Sequence, residues 1–104
     1  MTLQQLIDAI AAVCADTYEL ALPKGRQRGV VWHAYGRQAI FGDDRRVLSI
    51  PRVHLDLLWQ DAEDTLLDDV RSVLDEAALC YTEEDVFYDE SYERLRCILQ
   101  VTVV

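Results

Sequence analysis

The sequence lacks the features that place a protein in a membrane or outside the cell. No apolar run approaches the roughly 20 residues that a helix needs to cross a bilayer. The N-terminus also has no basic segment followed by an apolar one, as a secretion signal would have. We therefore expect a protein that is made and kept in a cytoplasm and does not contact membranes.

Cysteine and basic residues are also scarce. Cys14, Cys80 and Cys97 are widely spaced and odd in number, which favours small buried thiols over a disulfide framework or a metal site. The 10 basic residues stand against 19 acidic ones, for a net charge of −9. Because Lys and Arg supply most of the affinity for phosphate backbones, this balance argues against recognition of nucleic acid.

Motifs of catalysis and phosphate binding are missing as well. The three serines have no GxSxG setting, no glycine-rich phosphate loop occurs, and the acidic stretches lack the DxDxDG calcium pattern. His33 and His54 fall on predicted strands without HxxxH or CxxC spacing, so we interpret them as ordinary strand residues. A metal or acid–base site built from both histidines and Asp56 is the alternative. We expect no enzyme activity, no metal and no cofactor.

Length and composition indicate one small folded unit. Apolar residues make up 51% of the chain and charged residues 28%, as in soluble globular proteins rather than disordered chains. A chain of 104 residues is long enough to bury a single core, so we expect one domain over residues 1–104.

Two segments have the apolar period of an amphipathic helix. TLQQLIDAIAAVCA opens with Thr2 and has Gln5 three residues later, which is a capping box, and it predicts a helix over residues 2–15. DAEDTLLDDVRSVLDEAAL predicts a second helix, with Asp61 as its cap and acidic residues in its first turn.

Other segments have the patterns of strands. RVHLDLLWQ is the clearest, because its apolar residues from Val53 to Trp59 alternate with mostly polar ones and predict a sheet with one packed face. RLRCILQVTVV alternates in the same way. The remaining candidates are YELAL, VVWHAY ending at Gly36, QAIF before a turn at Gly42 and Asp43, and CYTEEDVFYDE, a strand interrupted by its acidic middle.

The predicted elements follow the order α-β-β-(β)-α-β-β with short links. Hairpin-like spacing predicts that neighbouring strands are antiparallel. We therefore expect an α+β fold in which a mainly antiparallel sheet of four to five strands packs with two helices.

Charge is unevenly distributed along the chain. Residues 24–52 hold seven of the ten basic residues, whereas residues 61–93 hold thirteen of the nineteen acidic ones. Unless the fold brings these segments together, the molecule has a basic part and an acidic part. Such a molecule is suited to head-to-tail association of its copies.

The whole pattern resembles a family of phage proteins. The resemblance covers residues 3–104 in element order and length, and it is carried by the N-terminal helix, LALPKG, VVWHAYG, IPRVHLDLLWQ, DAEDTLLDDVRSVLDEA and VFYDESYERLRCILQVTV. Together these segments are similar to small tail-terminator proteins, also called tail-completion or minor tail proteins, of long-tailed bacteriophages and prophages.

The resemblance implies an α+β subunit that assembles as a ring, commonly hexameric, at the head-proximal end of the tail tube. Such a ring stops tail polymerisation and joins the tail to the head. Its partners would be copies of itself, the phage tail tube protein and the head–tail connector protein. It would act in the bacterial host cytoplasm during assembly and then in the virion tail, without catalysis or a cofactor.

Charge position suggests which residues form the subunit or tail-tube contact. We expect the FGDDRR tip and the PKGRQRG loop to form its basic side, which meets acids from around Glu83 to Glu90. The candidate interface residues are Arg26, Arg28, Asp43, Asp44, Arg45, Arg46, Glu83, Glu84 and Asp85.

Two other functions remain open beside this one and the metal site already described. The first is another structural part of the same assembly, such as a head–tail connector or tube protein. The second is a small-ligand binding or regulatory module with a ferredoxin-like sheet and two helices, which would need a defined pocket.

Overall fold

The structure is a computed structural model. It describes the backbone of residues 1–42 and 45–103, and the side chains of residues 1–36 and 51–103. Its elements, in chain order, are α1 (Leu3–Val13), β1 (Thr17–Glu19), β2 (Gly29–Gly42), β3 (Arg45–Trp59), α2 (Leu66–Glu76), β4 (Cys80–Glu83), β5 (Phe87–Asp89) and β6 (Arg94–Thr102).

All six strands belong to one sheet, with the order β1-β2-β3-β6-β4 and with β5 also paired to β6. The expected α+β fold with a mainly antiparallel sheet is confirmed, with six strands rather than four to five. The prediction of antiparallel neighbours is wrong for β1 and β2, which pair in parallel. The chain reverses twice between them, because residues 20–28 lead it back before β2 begins.

The helices begin where backbone N–H groups find acceptors. At α1 the capping box is present: Gln5 N–H donates to Thr2 Oγ1 at 3.1 Å, and Thr2 N–H donates to Gln5 Oε1 at 2.9 Å. The predicted Asp61 cap of α2 is wrong. Asp61 accepts the N–H of Glu63 at 2.9 Å within a turn, and α2 begins at Leu66.

The segments VVWHAY and QAIF form one strand rather than two. Gly36 was expected to end the first strand, but β2 continues through it with a register shift between Ala34 and Gly36. One irregular pair bends a strand without ending it. The β2–β3 hairpin therefore extends past its neighbours, since the pairs from Arg37 to Gly42 lie beyond the residues that pair with β1 and β6.

Both helices contribute to a core on one face of the sheet. The predicted alternation on β3 is confirmed, because its residues from Val53 to Trp59 on that face are buried. The largest fully buried side chains are Leu6, Ile10, Val30, Val53, Leu55, Leu57, Leu66, Val70, Leu74, Cys97, Leu99 and Val101. None of the helices in the described part of the chain is long and apolar enough to cross a membrane.

Candidate functional site

The face of the sheet turned away from the helices carries most of the polar strand residues. We call it the open face, and alternation along the strands assigns to it Val31, His33, Tyr35, Arg52, His54, Asp56, Leu58, Arg94, Arg96, Ile98 and Gln100. Polar side chains gathered on one face of a rigid sheet can position a ligand or a partner.

A network of ion pairs crosses the open face between β3, β5 and β6. Arg96 donates to both carboxylate oxygens of Asp56, with Nε 2.8 Å from Oδ1, and its Nη1 donates to Asp89 at 2.8 Å. Asp56 is only 9% exposed. Its carboxylate is thereby neutralised by a neighbour, and both acids raise the pKa of Arg96, the Asp56 hydrogen bond most.

The two histidines lie directly opposite each other on β2 and β3. Their rings stack with centroids 4.8 Å apart and planes at 20°. Burial, and then the neighbouring His33, lower the pKa of His54 below its ordinary value. Asp56, the third residue of the alternative metal or acid–base site, has its carboxylate held by Arg96.

The side chains beside the histidines make their own contacts. Tyr35 Oη donates to Gln100 Oε1 at 3.1 Å, and the guanidinium of Arg52 lies 5.2 Å from the Tyr35 ring centroid. Within the described side chains, no group of three His, Cys, Asp or Glu residues is placed to hold a metal ion.

The PKGRQRG loop contains a tight turn beside β1. Arg26 N–H donates to Pro23 O at 3.2 Å, and Gly25 has φ +90°, as the third position of a type II turn requires. The exposed side chains of Lys24 and Arg26 flank that glycine. We call residues 23–26 the basic turn.

The fold pairs some of the predicted interface residues within the chain. Arg28 forms a two-pronged ion pair with Asp64, at 2.7 and 3.0 Å, which lowers the pKa of that carboxyl. Arg26 approaches Asp16 only at 3.7 Å and stays 56% exposed. Arg28 therefore links the basic and acidic segments internally, whereas Arg26 remains available to a partner.

The residues predicted to form the acidic side of the contact also divide into paired and exposed ones. Arg71 of α2 donates to Glu83 at 2.7 Å, which lowers the pKa of Glu83. Glu84 and Asp85 are exposed. Among the FGDDRR residues, Asp43 and Asp44 lie outside the described residues, and Arg45 and Arg46 are described by backbone alone, as the start of β3.

The sheet has two unlike edges. β1 forms one, and the segment from β4 to β5 forms the other, because both strands pair with the side of β6 that faces away from β3. This second edge carries Val86, Phe87 and Tyr88, which are 45%, 41% and 58% exposed, next to Glu84 and Asp85. We call residues 84–88 the acidic edge.

Sequence reasoning missed two contributors to these surfaces. Arg94 and Arg96 join the open face near the basic turn, although they are far from it in sequence. The alternation of RLRCILQVT could have placed both arginines on the non-core face, but no sequence signal shows which loop lies over that face. The exposure of Phe87 and Tyr88 was also missed, because aromatic residues on a strand usually indicate a core.

Comparisons with protein-family models, with curated proteins and with solved structures give no match to this chain.

Proposed function

We propose that this protein is a structural subunit that associates head to tail with its own copies to form a closed ring. The ring would sit at the head-proximal end of a phage tail tube, end tail polymerisation and join the tail to the head connector. The resemblance to tail-terminator proteins supplies the location. The α+β fold that the resemblance implies is present, and this supports the proposal.

The observation that carries the proposal is the pair of unlike sheet edges. One is flanked by the basic turn, with Lys24 and Arg26 exposed, and the other is the acidic edge. A surface that is complementary to another surface of the same molecule makes a heterologous contact. Such contacts generate rings when the rotation between copies closes.

The acidic edge has the composition of an interaction surface. Its exposed apolar side chains lie among acids. Phe87 and Tyr88 belong to β5, whose outer backbone groups pair with no strand in the described part of the chain. Exposed strand edges favour pairing with another chain unless they are protected. We therefore assign Val86, Phe87 and Tyr88 to the buried centre of the contact, and Glu84 and Asp85 to its charged rim.

Arg28 and Glu83 have a different part in this proposal from the one expected from sequence. Both form ion pairs inside the chain, so we assign the charge between subunits to Lys24 and Arg26 on one side and Glu84 and Asp85 on the other. The projecting β2–β3 hairpin, with Arg45 and Arg46 near its tip, is proposed as a further contact with a neighbouring subunit or the tail tube.

Charge-reversal variants measured by light scattering after size-exclusion chromatography test the head-to-tail contact. The first variant is Glu84→Lys with Asp85→Lys, and the second is Lys24→Glu with Arg26→Glu. Each alone should remain monomeric where the unmodified protein assembles, because like charges then meet across the contact. Mixed together they should assemble, since alternating copies restore opposite charges at every contact.

A control keeps the size of the charge change but moves it away from the edges. Asp61→Lys with Glu63→Lys alters two exposed acids in the turn before α2 and should leave assembly unchanged. Assembly of either edge variant alone, or failure of the mixture to assemble, would contradict the proposed contact. Open stacks of variable length in place of a closed ring would favour the tube-protein alternative.

A further inference from the structure

The segment between β1 and β2 lies over part of the open face and leaves a cavity of about 330 Å³ beneath it. Residues 20–26 form one wall, and residues of β2, β3 and β6 form the other. The cavity is near the lower end of the roughly 300–1,000 Å³ that small-molecule sites occupy. It is therefore a space for a small ligand rather than for a protein segment.

The charged residues that line this cavity are mostly cationic. Lys24, Arg26, Arg94 and Arg96 stand against the single acid Asp56. Arg96 is engaged by Asp56 and Asp89, and Arg26 has Asp16 at 3.7 Å. Lys24 and Arg94 have no ion pair among the described residues, so the cavity has an excess of positive charge.

Arg94 supplies the most specific feature. Its Nε is buried and has no hydrogen-bond acceptor among the described residues. Buried side-chain donors almost always have a partner, and an exception calls for an explanation. A guanidinium presents Nε and one Nη as a planar fork that matches the two oxygens of a carboxylate.

The uncharged part of the lining is largely apolar. Leu22 and Pro23 contribute from the connector, and Val31 and Leu58 contribute from the sheet, where Leu58 is 4% exposed. A ligand that met only the cations would leave these surfaces in contact with water. The favoured ligand therefore carries an apolar body as well as its charge.

We infer that this cavity binds a small organic carboxylate with an apolar body, anchored by the guanidinium of Arg94. The carboxylate accepts hydrogen bonds from Arg94, and the ammonium of Lys24 adds a second positive charge at the mouth. The apolar body lies against Leu22 and Leu58. This site does not include the acidic edge, but it shares Lys24 and Arg26 with the basic turn of the proposed subunit contact.

Titration calorimetry of the full chain with hexanoate, benzoate and inorganic phosphate at constant ionic strength tests the inference. Hexanoate or benzoate should bind saturably with one site per chain and at least about tenfold more tightly than phosphate, because phosphate cannot use the apolar walls. Phosphate binding as tight as that of both carboxylates would overturn the inference, as would the absence of saturable carboxylate binding.

Three variants locate the binding. Arg94→Gln removes the fork and should weaken carboxylate binding at least about tenfold, the loss expected for a charge-assisted pair of hydrogen bonds. Lys24→Gln, on an exposed turn that is not part of the core, should also weaken it. Arg52→Gln removes an equal charge from the same face outside the cavity lining and should bind as the unmodified protein does.

The variant results separate this site from a general charge effect. Unchanged binding in both Arg94→Gln and Lys24→Gln would overturn the placement in this cavity. Equal losses in all three variants would overturn it too, because they would indicate attraction by net charge alone. If Arg94→Gln does not fold, the exposed Lys24→Gln change decides the result.

Discussion

Arg96 and Asp56 form a direct ion pair between the two central strands β6 and β3, on the face of the sheet opposite the core. The guanidinium donates through Nε and Nη2 to the carboxylate, which is 9% exposed, and Asp89 of β5 accepts from Nη1. One arginine thus links three strands. The arrangement explains how a carboxylate is tolerated in a nearly buried strand position.

Asp56→Asn should lower the free energy of unfolding by about 2–3 kcal/mol. The amide cannot neutralise Arg96, and an arginine left without its main partner in a largely buried position is costly, although its 24% exposure moderates the loss. Urea unfolding followed by circular dichroism measures the effect. Arg71→Gln is the control: it breaks a more exposed pair with Glu83 and should cost about 0.2–1 kcal/mol. Equal losses in the two variants would contradict this assignment.

Val53→Ala should destabilise the protein by about 2–3 kcal/mol, whereas Val13→Ala should change its stability by less than about 0.5 kcal/mol. Val53 is 0% exposed on the core face of β3, so truncation leaves a cavity in the core. Val13 is 40% exposed at the end of α1. Urea unfolding of both variants compares the same side-chain truncation at a buried and at an exposed position. A large loss for Val13→Ala would show that the helix end is buried.

Mild acidification should destabilise the protein through His54. Its pKa is lowered in the folded state, by burial and then by His33, so the unfolded chain binds more protons as pH falls below about 6.5. Stability from this group is fully present above that pH and is lost as the pH falls through the window down to the folded pKa. In this pH window His54→Gln should reduce the slope of the unfolding free energy against pH. An unchanged slope would contradict the role assigned to His54.

The lowered pKa values of Asp64 and Glu83 affect stability in a separate, more acidic pH range. Each accepts hydrogen bonds from an arginine in the folded state. Their contribution is fully present above about pH 5 and is lost as the pH falls below that value. Between about pH 5 and 6.5 the His54 effect can therefore be measured without interference from these acids.

The three free cysteines should differ sharply in reactivity. Cys80 is exposed, whereas Cys14 and Cys97 are buried, and burial raises the pKa of Cys97 to about 11. Because the thiolate is the reactive form, a thiol reagent added to native protein should label Cys80 first. Mass spectrometry after a short labelling pulse measures this. Cys80→Ser should show almost no fast labelling, and rapid labelling of that variant would contradict the burial of the other two.

Local sequence patterns predict much of the fold, and the predictions that were wrong have physical causes. The capping box at Thr2 and the alternation from Val53 to Trp59 depend on neighbours in sequence, so sequence reasoning identifies them. β2 continues through Gly36 because its backbone pairs with β3. The glycine in the sequence does not show that such a partner strand is present. The expected burial of Cys80 was wrong because its strand lies at an edge of the sheet.

The candidate surfaces were less accessible to sequence reasoning. Charge counting identified Arg26, Glu84 and Asp85, which are exposed, but it also selected Arg28 and Glu83, whose partners lie 36 and 12 residues away in the chain. The cavity residue Arg94 was missed, because its relation to residues 20–26 arises only when that segment lies over the sheet. A local sequence pattern does not show which distant residues lie close together in the fold.

Native mass spectrometry of the unmodified protein, over a range of concentrations at physiological salt, tests the central claim most directly. Closed head-to-tail assembly predicts one dominant large species near six copies, whose mass does not grow as concentration rises. A monomer at every concentration, or a series of masses that lengthens with concentration, would contradict the closed ring.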